Sequence, residues 1–342
     1  MEKMKYVSIP RKNIAQVKRM DIPVPKEGEA LIRILYGGIC GSDMRTYQGT
    51  FMYSSFPRIP GHEFSAQIVS APENACGLRP GMIVTGNPYY NCKVCYSCRR
   101  DLANCCVNNQ TLGAQRDGIF REYFAIPIER LYDGNGLDAK LLALVEPFCI
   151  SYHAAERGRV TKGDRVLVIG AGPIGIFAAI AAKNAGAEVT VCDISPFRLS
   201  IAREMGADHT IISGKEDFMA RTKEITGEDG FDVCLECAGQ SATFLQCIEA
   251  AAFRGRVVVV GIGRPLEQFA YAGIQTKELD IHGSRNAHRD DFPKVIDIIK
   301  KGGLGLEKLI TDVYPLDEAP KAFAGLDTNP EGKMKVLIDF RV

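Results

Sequence analysis

Residues 164–193, DRVLVIGAGPIGIFAAIAAKNAGAEVTVCD, leave a chain of this kind few ways to fold. Arg165 to Ile169 reads as a buried, β-branched strand, and Gly170, Gly172 and Gly175 follow it as GxGxxG. An Ala-rich stretch to about Ala185 reads as a helix, and Glu188 to Asp193 as a second strand. Each glycine has a separate physical task. Gly170 permits the tight turn, Gly172 lets backbone approach a pyrophosphate, and Gly175 allows the helix to pack closely on the strand. The helix N-terminus then presents unpaired N–H groups to the phosphates. Asp193 ends the second strand, where an acid hydrogen-bonds adenosine ribose hydroxyls and repels a 2′-phosphate, so NAD is expected rather than NADP. Arg198 stands near enough in sequence to flank the adenine or to soften that repulsion.

Strand and helix alternation continues through HTIIS, a helix from Lys215 to about Thr226, FDVCLECAG, a helix from Ser241, GRVVVVGIG and ELDIHGS. This pattern implies an α/β architecture with a doubly wound parallel sheet over residues 148–285. Before residue 145 the texture is one of short strands and many Pro and Gly turns. After residue 286, DDFPKVIDIIKKG reads as an amphipathic helix with Val295, Ile296 and Ile299 on one side, and GKMKVLIDF as a last strand. Two domains are expected for 342 residues.

Charge narrows the partners. Forty-two Lys and Arg against 41 Asp and Glu leave a formal net charge of +1, which offers no broad field for nucleic acid or an anionic membrane. The longest mildly apolar run, GAGPIGIFAAIAA, is too short and Gly-rich to span a bilayer, and the first 20 residues lack a signal-peptide core. The expectation is a cytoplasmic protein with a small-molecule partner. In that compartment the 12 cysteines are thiols rather than a disulfide frame, and clustered thiols point to metal.

The cluster is CKVCYSCRRDLANCC, residues 92–106. Cys92, Cys95 and Cys98 recur at i, i+3 and i+6, so that a turning loop can aim three thiolates at one point, with Cys105 or Cys106 closing a tetrahedron. Four thiolates fill the coordination sphere of zinc and leave no position for a substrate, which marks a structural site. Ligand types for an open site occur elsewhere: Cys40 in GGICGSDMRTYQG, His62 and Glu63 in PGHEFSAQIV, and Glu146 in LVEPFCISYHA, ahead of a helix expected to begin at the Pro147 turn. Cys149, Cys192, Cys234, Cys237 and Cys247 fall in apolar strands or helices and read as packing residues.

In this order, GICGSD, GHE, Cx2Cx2Cx7C, VEP and GAGPIG resemble the zinc-dependent medium-chain dehydrogenase family, and within it the polyol branch of sorbitol dehydrogenase-like enzymes. The likeness covers essentially the whole chain. It implies a GroES-like β-rich catalytic domain of residues 1–147 and 286–342, a Rossmann NAD-binding domain of residues 148–285, and a homodimer or homotetramer. It implies a catalytic zinc on Cys40, His62 and Glu63, with Glu146 as an alternate or water-bridged partner. It also implies a structural zinc on Cys92, Cys95, Cys98 and Cys106, which favours Cys106 over Cys105. Pro173, Ile174, Gly261, Ile262 and Ser284 join the three glycines, Asp193 and Arg198 in the cofactor-contacting set.

The reaction so implied is hydride transfer from a secondary alcohol to NAD. Zinc lowers the pKa of a bound water from about 15.7 to about 7, on the order of 12 kcal/mol favouring the oxyanion, more than a side-chain base alone supplies. Ser42 matches the hydroxyl that starts a proton relay in related enzymes. Many of these end the relay on a histidine three residues further on, where this chain has Arg45, a residue that cannot accept a proton. Arg285, in GSRNAHRDDF, matches a substrate-contacting arginine of the polyol branch, and its fork of donors suits a carboxylate or several hydroxyls. The segment is similar to sugar-acid dehydrogenases of the L-galactonate 5-dehydrogenase type, so a polyol or an aldonate such as L-galactonate or L-gulonate is the expected substrate. The rival readings are an amino-alcohol or aminocyclitol dehydrogenase, of the threonine 3-dehydrogenase or 2-deoxy-scyllo-inosamine dehydrogenase type, and a catalytically silent NAD-binding or zinc-binding homologue that keeps the fold.

Overall fold

Alternating burial along Glu29–Gly38, with Ala30, Ile32, Ile34 and Tyr36 turned inward, makes this strand the spine of the first sheet. The computed structural model describes residues 2–263 and 271–342. The chain divides into two units, Met1–Glu146 with His288–Val342, and Pro147–Ala287.

In the first unit the sheet runs Ile310–Pro315, Lys335–Asp339, Glu29–Gly38, Glu63–Ser70, Ile83–Gly86 and Leu131–Asp133, and Tyr123–Pro127 also pairs with Glu29–Gly38. The C-terminal segment therefore completes a sheet begun by the N-terminal one, with Leu337 opposite Gly38 and Gly38 opposite Glu63. Several strands are longer than the expected short ones, since Lys3–Arg11 and Glu29–Gly38 hold nine and ten residues. Phe120 lies at the centre of the core, 5.8 Å from Phe340 and 6.3 Å from Phe323 by ring centroids. Its ring also covers the turn before His62. Gly61 there has φ +97°, and a Cβ on it would overlap the Phe120 ring, so both backbone and packing require glycine.

In the second unit the described residues form a six-stranded parallel sheet ordered His209–Ile212, Glu188–Asp193, Arg165–Ile169, Phe231–Glu236, Ala251–Val259 and Asp280–Gly283. Numbered within the unit this is 3-2-1-4-5-6, the order of dinucleotide-binding sheets, with the switch point beside Arg165–Ile169. Helix Pro173–Asn184 lies on the sheet through Ile176, Phe177 and Ile180, and Phe177 stacks on Phe148 at 5.0 Å. The helix carrying Glu146 starts at Val145 rather than at the Pro147 turn, because proline is tolerated in the first turn, where its missing N–H has no intrahelical acceptor to lose.

Candidate metal and dinucleotide sites

Cys40 caps helix Gly41–Tyr47. Its N–H donates to Asp43 Oδ2 (3.0 Å), while Asp43 Oδ1 accepts from the Gly61 N–H (2.9 Å). One buried carboxylate thus ties the loop bearing Cys40 to the turn bearing His62. His62 Nδ1 lies 3.9 Å from Asp43 Oδ1 and is a buried polar atom without a hydrogen-bond partner. One ligand atom each from Cys40, His62 and Glu63 falls within 4.8 Å of the others. Glu146 stands outside that group: its Oε1 accepts a hydrogen bond from Tyr89 Oη. Tyr89 is fixed in turn by its pairing with Thr111 and by Arg130, which donates to its carbonyl. The guanidinium groups of Arg116 and Arg130 lie 3.8 Å and 4.0 Å from the Tyr90 ring centroid.

The electrostatics fit a dication. Burial opposes charge on His62, but Asp43, Cys40 and Glu146 more than offset it and raise its pKa well above the ordinary value. Burial pushes Glu146 up to about 7, with His62 acting the other way and Glu63 adding to the rise. A site so rich in buried anionic groups and with an orphaned imidazole nitrogen is matched by zinc, which takes S, N and O donors together. Lys335 supplies a cation. Its Nζ donates to Glu63 Oε1 and Oε2 at 2.8 Å and 2.7 Å, and both side chains are buried. Ser42 follows in the first turn of the helix, and Arg45 lies in its last turn.

The cysteine loop gathers Cys92, Cys95, Cys98 and Cys106, whereas Cys105 is exposed and outside the group. The Cys95 sulfur is 3.5 Å from that of Cys98 and 3.9 Å from that of Cys106. Zn–S bonds of about 2.3 Å in a tetrahedron place sulfurs roughly 3.8 Å apart, so the spacing fits zinc. Backbone N–H groups prepare thiolates here. Those of Cys98 and Val107 lower Cys95 to about 6, and those of Val94 and Cys95 lower Cys92, while burial pushes Cys106 up to about 11. The loop is anchored by His288 Nε2, 2.9 Å from the Asp101 carbonyl, and by Arg289, paired with the Asp101 carboxylate at 3.3 Å.

In the second unit Gly170 has φ +100°, and its N–H donates to the Cys192 carbonyl (2.8 Å). A Cβ on Gly175 would overlap the Gly170 carbonyl oxygen, whereas one on Gly172 would meet no protein atom within 4 Å. The space before Gly172 and the start of helix Pro173–Asn184 suits a phosphate, with Pro173 and Ile174 in its first turn. Asp193 accepts from Ala171 N–H (2.6 Å) and Ser195 N–H (2.8 Å), and Arg198 lies 4.0 Å from its Oδ2. Gly261 passes so close to Gly239 that a Cβ would overlap the Gly239 nitrogen. Ile262 beside it is half exposed. Ser284 N–H donates to Val259 O (2.9 Å), leaving its buried hydroxyl without a partner, and Arg285 follows it.

Sequence reasoning missed four members of these sites. Asp43 lay inside the quoted GICGSD, three residues after Cys40 at the offset of a helix capping pair. Tyr89 and Lys335 carry no local signal. Glu236 ends its strand buried, with Oε1 accepting from Ala238 N–H, Gly239 N–H and Thr243 Oγ1 at 2.9, 2.8 and 2.7 Å, and so shapes the loop against Gly261.

Comparison with known proteins agrees with both halves. Residues 26–134 match the family model "Alcohol dehydrogenase GroES-like domain" and residues 173–301 the model "Zinc-binding dehydrogenase". L-galactonate-5-dehydrogenase of Escherichia coli (strain K12) is 33% identical over 94% of this chain and 95% of its own length. Sorbitol dehydrogenase of Halalkalibacterium halodurans is 33% identical over 92% and 93%. L-threonine 3-dehydrogenase of Anaeromyxobacter dehalogenans is 30% identical over 94% of each chain. The crystal structure of RspB from E. coli CFT073, complexed with NADH, superposes with a TM-score of 0.91 at 29% identity, covering 99% of this chain and 100% of that one.

Proposed function

The chain belongs to the zinc-dependent medium-chain dehydrogenases, and from that footing we propose that it oxidises a secondary alcohol of a polyol or sugar acid, passing the hydride to NAD. The observation that carries this is the convergence of Cys40, His62 and Glu63 within 4.8 Å in a chain that also holds a complete dinucleotide-binding turn. Zinc, when bound, supplies the Lewis acid that makes an alcohol proton removable near neutral pH.

The residues of the chain do the rest. Cys40, His62 and Glu63 hold the metal, and Asp43 keeps the first two in register. Cys92, Cys95, Cys98 and Cys106 hold a second zinc that serves only the loop. Glu146, a buried carboxyl whose Oε1 accepts from Tyr89 Oη, stands beside His62 as a group able to exchange a proton. Ser42 Oγ is the hydroxyl that takes part in moving the alcohol proton away. Arg45 does not accept it, and so the exit differs from that of relatives with a histidine there. The N–H groups at the start of helix Pro173–Asn184 bind the pyrophosphate, and Asp193 binds ribose hydroxyls and disfavours a 2′-phosphate. Arg285 orients a substrate carboxylate or hydroxyl pair.

The similarity to L-threonine 3-dehydrogenase supports a second reading, since a β-hydroxy amino acid is also a secondary alcohol with a carboxylate for Arg285 to bind. Initial rates of absorbance increase at 340 nm with L-galactonate, L-gulonate, sorbitol and L-threonine, each with NAD and with NADP, separate the two. Turnover on a sugar acid or polyol with NAD is the expected result. Turnover confined to threonine gives the second reading, and silence on all four refutes both.

A further inference from the structure

Glu236 is a buried acid that the glycine turn and Asp193 leave without a duty. It closes the strand Phe231–Glu236, which pairs with Arg165–Ile169 on the side away from Glu188–Asp193. In a sheet of this order each half takes one mononucleotide, and Asp193 marks the adenosine half. Glu236 therefore ends the first strand of the half that takes nicotinamide. Its backbone carbonyl accepts from the N–H groups of Val260 (2.9 Å) and Gly261 (3.0 Å), which follow the next strand, Ala251–Val259. The residue is 1% exposed, and the donors on its Oε1, from Ala238, Gly239 and Thr243, are all neutral. Oε2 faces Gly261, where a Cβ would stand 2.8 Å from it. The charge is felt in the loop that follows. Burial pushes the Cys237 thiol up, and the Glu236 carboxylate adds to that rise.

Resting on the NAD reading above, we propose that Glu236 supplies the negative charge by which the site favours oxidised NAD over NADH. The nicotinamide ring is cationic when oxidised and neutral when reduced, while the two forms share their pyrophosphate, riboses and adenine. Groups that hold the shared parts, the N-terminus of helix Pro173–Asn184 and Asp193 among them, bind both forms alike and so cannot discriminate. A fixed anion at the end of Phe231–Glu236 can. It is buried, so solvent screens it little, and its neutral partners leave it a full charge to act on the ring. A purely structural role, shaping the loop of Ala238 and Gly239, predicts instead that both forms lose affinity together. Arg285, just beyond the last strand of the same half, acts in the opposite sense, but it is common to wild type and variant and cancels in their comparison.

The test is calorimetric titration of wild type and Glu236→Gln with NAD, NADH and ADP-ribose. Glutamine keeps the shape and an acceptor oxygen for the three donors and removes only the charge. In the variant Kd for NAD should rise about tenfold, the reach of one partly screened charge, while Kd for NADH and for ADP-ribose stays unchanged. Equal losses for NAD and NADH, or an unchanged affinity for NAD, overturn the proposal. Should Glu236→Gln not fold, wild type is titrated with a dinucleotide that carries benzamide in place of nicotinamide, a flat ring of the same shape without the charge. It should bind about tenfold more weakly than NAD, and equal or tighter binding overturns the proposal. Wild-type enzyme that binds neither NAD nor ADP-ribose would instead refute the dinucleotide reading itself, which separates the two failures.

Discussion

Gly172→Ala and Gly175→Ala should fail in different ways, although both substitutions add one methyl group to the same turn. At Gly172 the backbone has φ −68° and ψ 178°, open to alanine, and the methyl meets no protein atom within 4 Å. Folding stability should fall by only about 0.5–1 kcal/mol, because glycine is a better helix N-cap than alanine. The methyl nevertheless occupies the space through which a pyrophosphate approaches the backbone N–H groups. Loss of one charge-assisted hydrogen bond is worth about 1.5–3 kcal/mol, or roughly 10- to 150-fold in Kd for NAD. At Gly175 the methyl overlaps the Gly170 carbonyl oxygen, a backbone atom tied to Cys192 through the neighbouring N–H. The helix must therefore move away from the strand, at a cost of about 1–3 kcal/mol from overpacking, and the phosphate cradle moves with it. Urea unfolding followed by circular dichroism and NAD titration by fluorescence measure the two quantities independently. Wild-type affinity in a folded Gly172→Ala enzyme would show that phosphate does not sit at this turn. Unchanged stability of Gly175→Ala would refute the packing argument.

Cys98→Ser should cost the loop its zinc and lower the melting temperature, whereas Cys105→Ser should leave zinc content and melting temperature unchanged; metal analysis and thermal scans check both. Asp208 is pulled both ways, with burial raising its pKa and hydrogen bonds from Lys183 and the Val189 N–H more than offsetting it, so its folded value lies below the ordinary one. A depressed carboxylate stabilises the fold above its unfolded pKa of about 3.9 and loses that contribution as pH falls through its folded value. Asp208→Asn should thus destabilise by about 1 kcal/mol at pH 7, a modest figure because the pair is a third exposed, and unfolding curves of the two proteins should converge below about pH 4.

The dinucleotide unit was legible because its signals are local. Strands Arg165–Ile169 and Glu188–Asp193 have the bounds expected from their apolar runs, and helix Pro173–Asn184 ends one residue short of the expected Ala185. The two groups of ligand-type residues were legible where spacing or a short motif marks them, as in the cysteine loop and GHE. Cys106 rather than Cys105 was open on spacing alone, and burial separates them, since a loop one residue longer turns the neighbouring thiol outward. Lys335 was out of reach for a different reason. It lies 272 residues from Glu63, and their meeting depends on the register of three strands and on a missing side chain at Gly38. Tyr89 reaches Glu146 only through the short pairing with Gln110–Thr111. A single sequence carries no mark of such pairings, because they are properties of the assembled sheet.

Two groups of ligand-type residues with different duties form the centre of this account, and zinc content measured alongside turnover addresses them most directly. Wild-type enzyme should carry two zinc ions per chain, one for each group. Cys40→Ser should carry one, lose NADH formation, and keep both its fold and its NAD affinity. A Cys40→Ser protein that still turns over, or that still holds the wild-type amount of zinc, would contradict the assignment of Cys40, His62 and Glu63 to the chemistry.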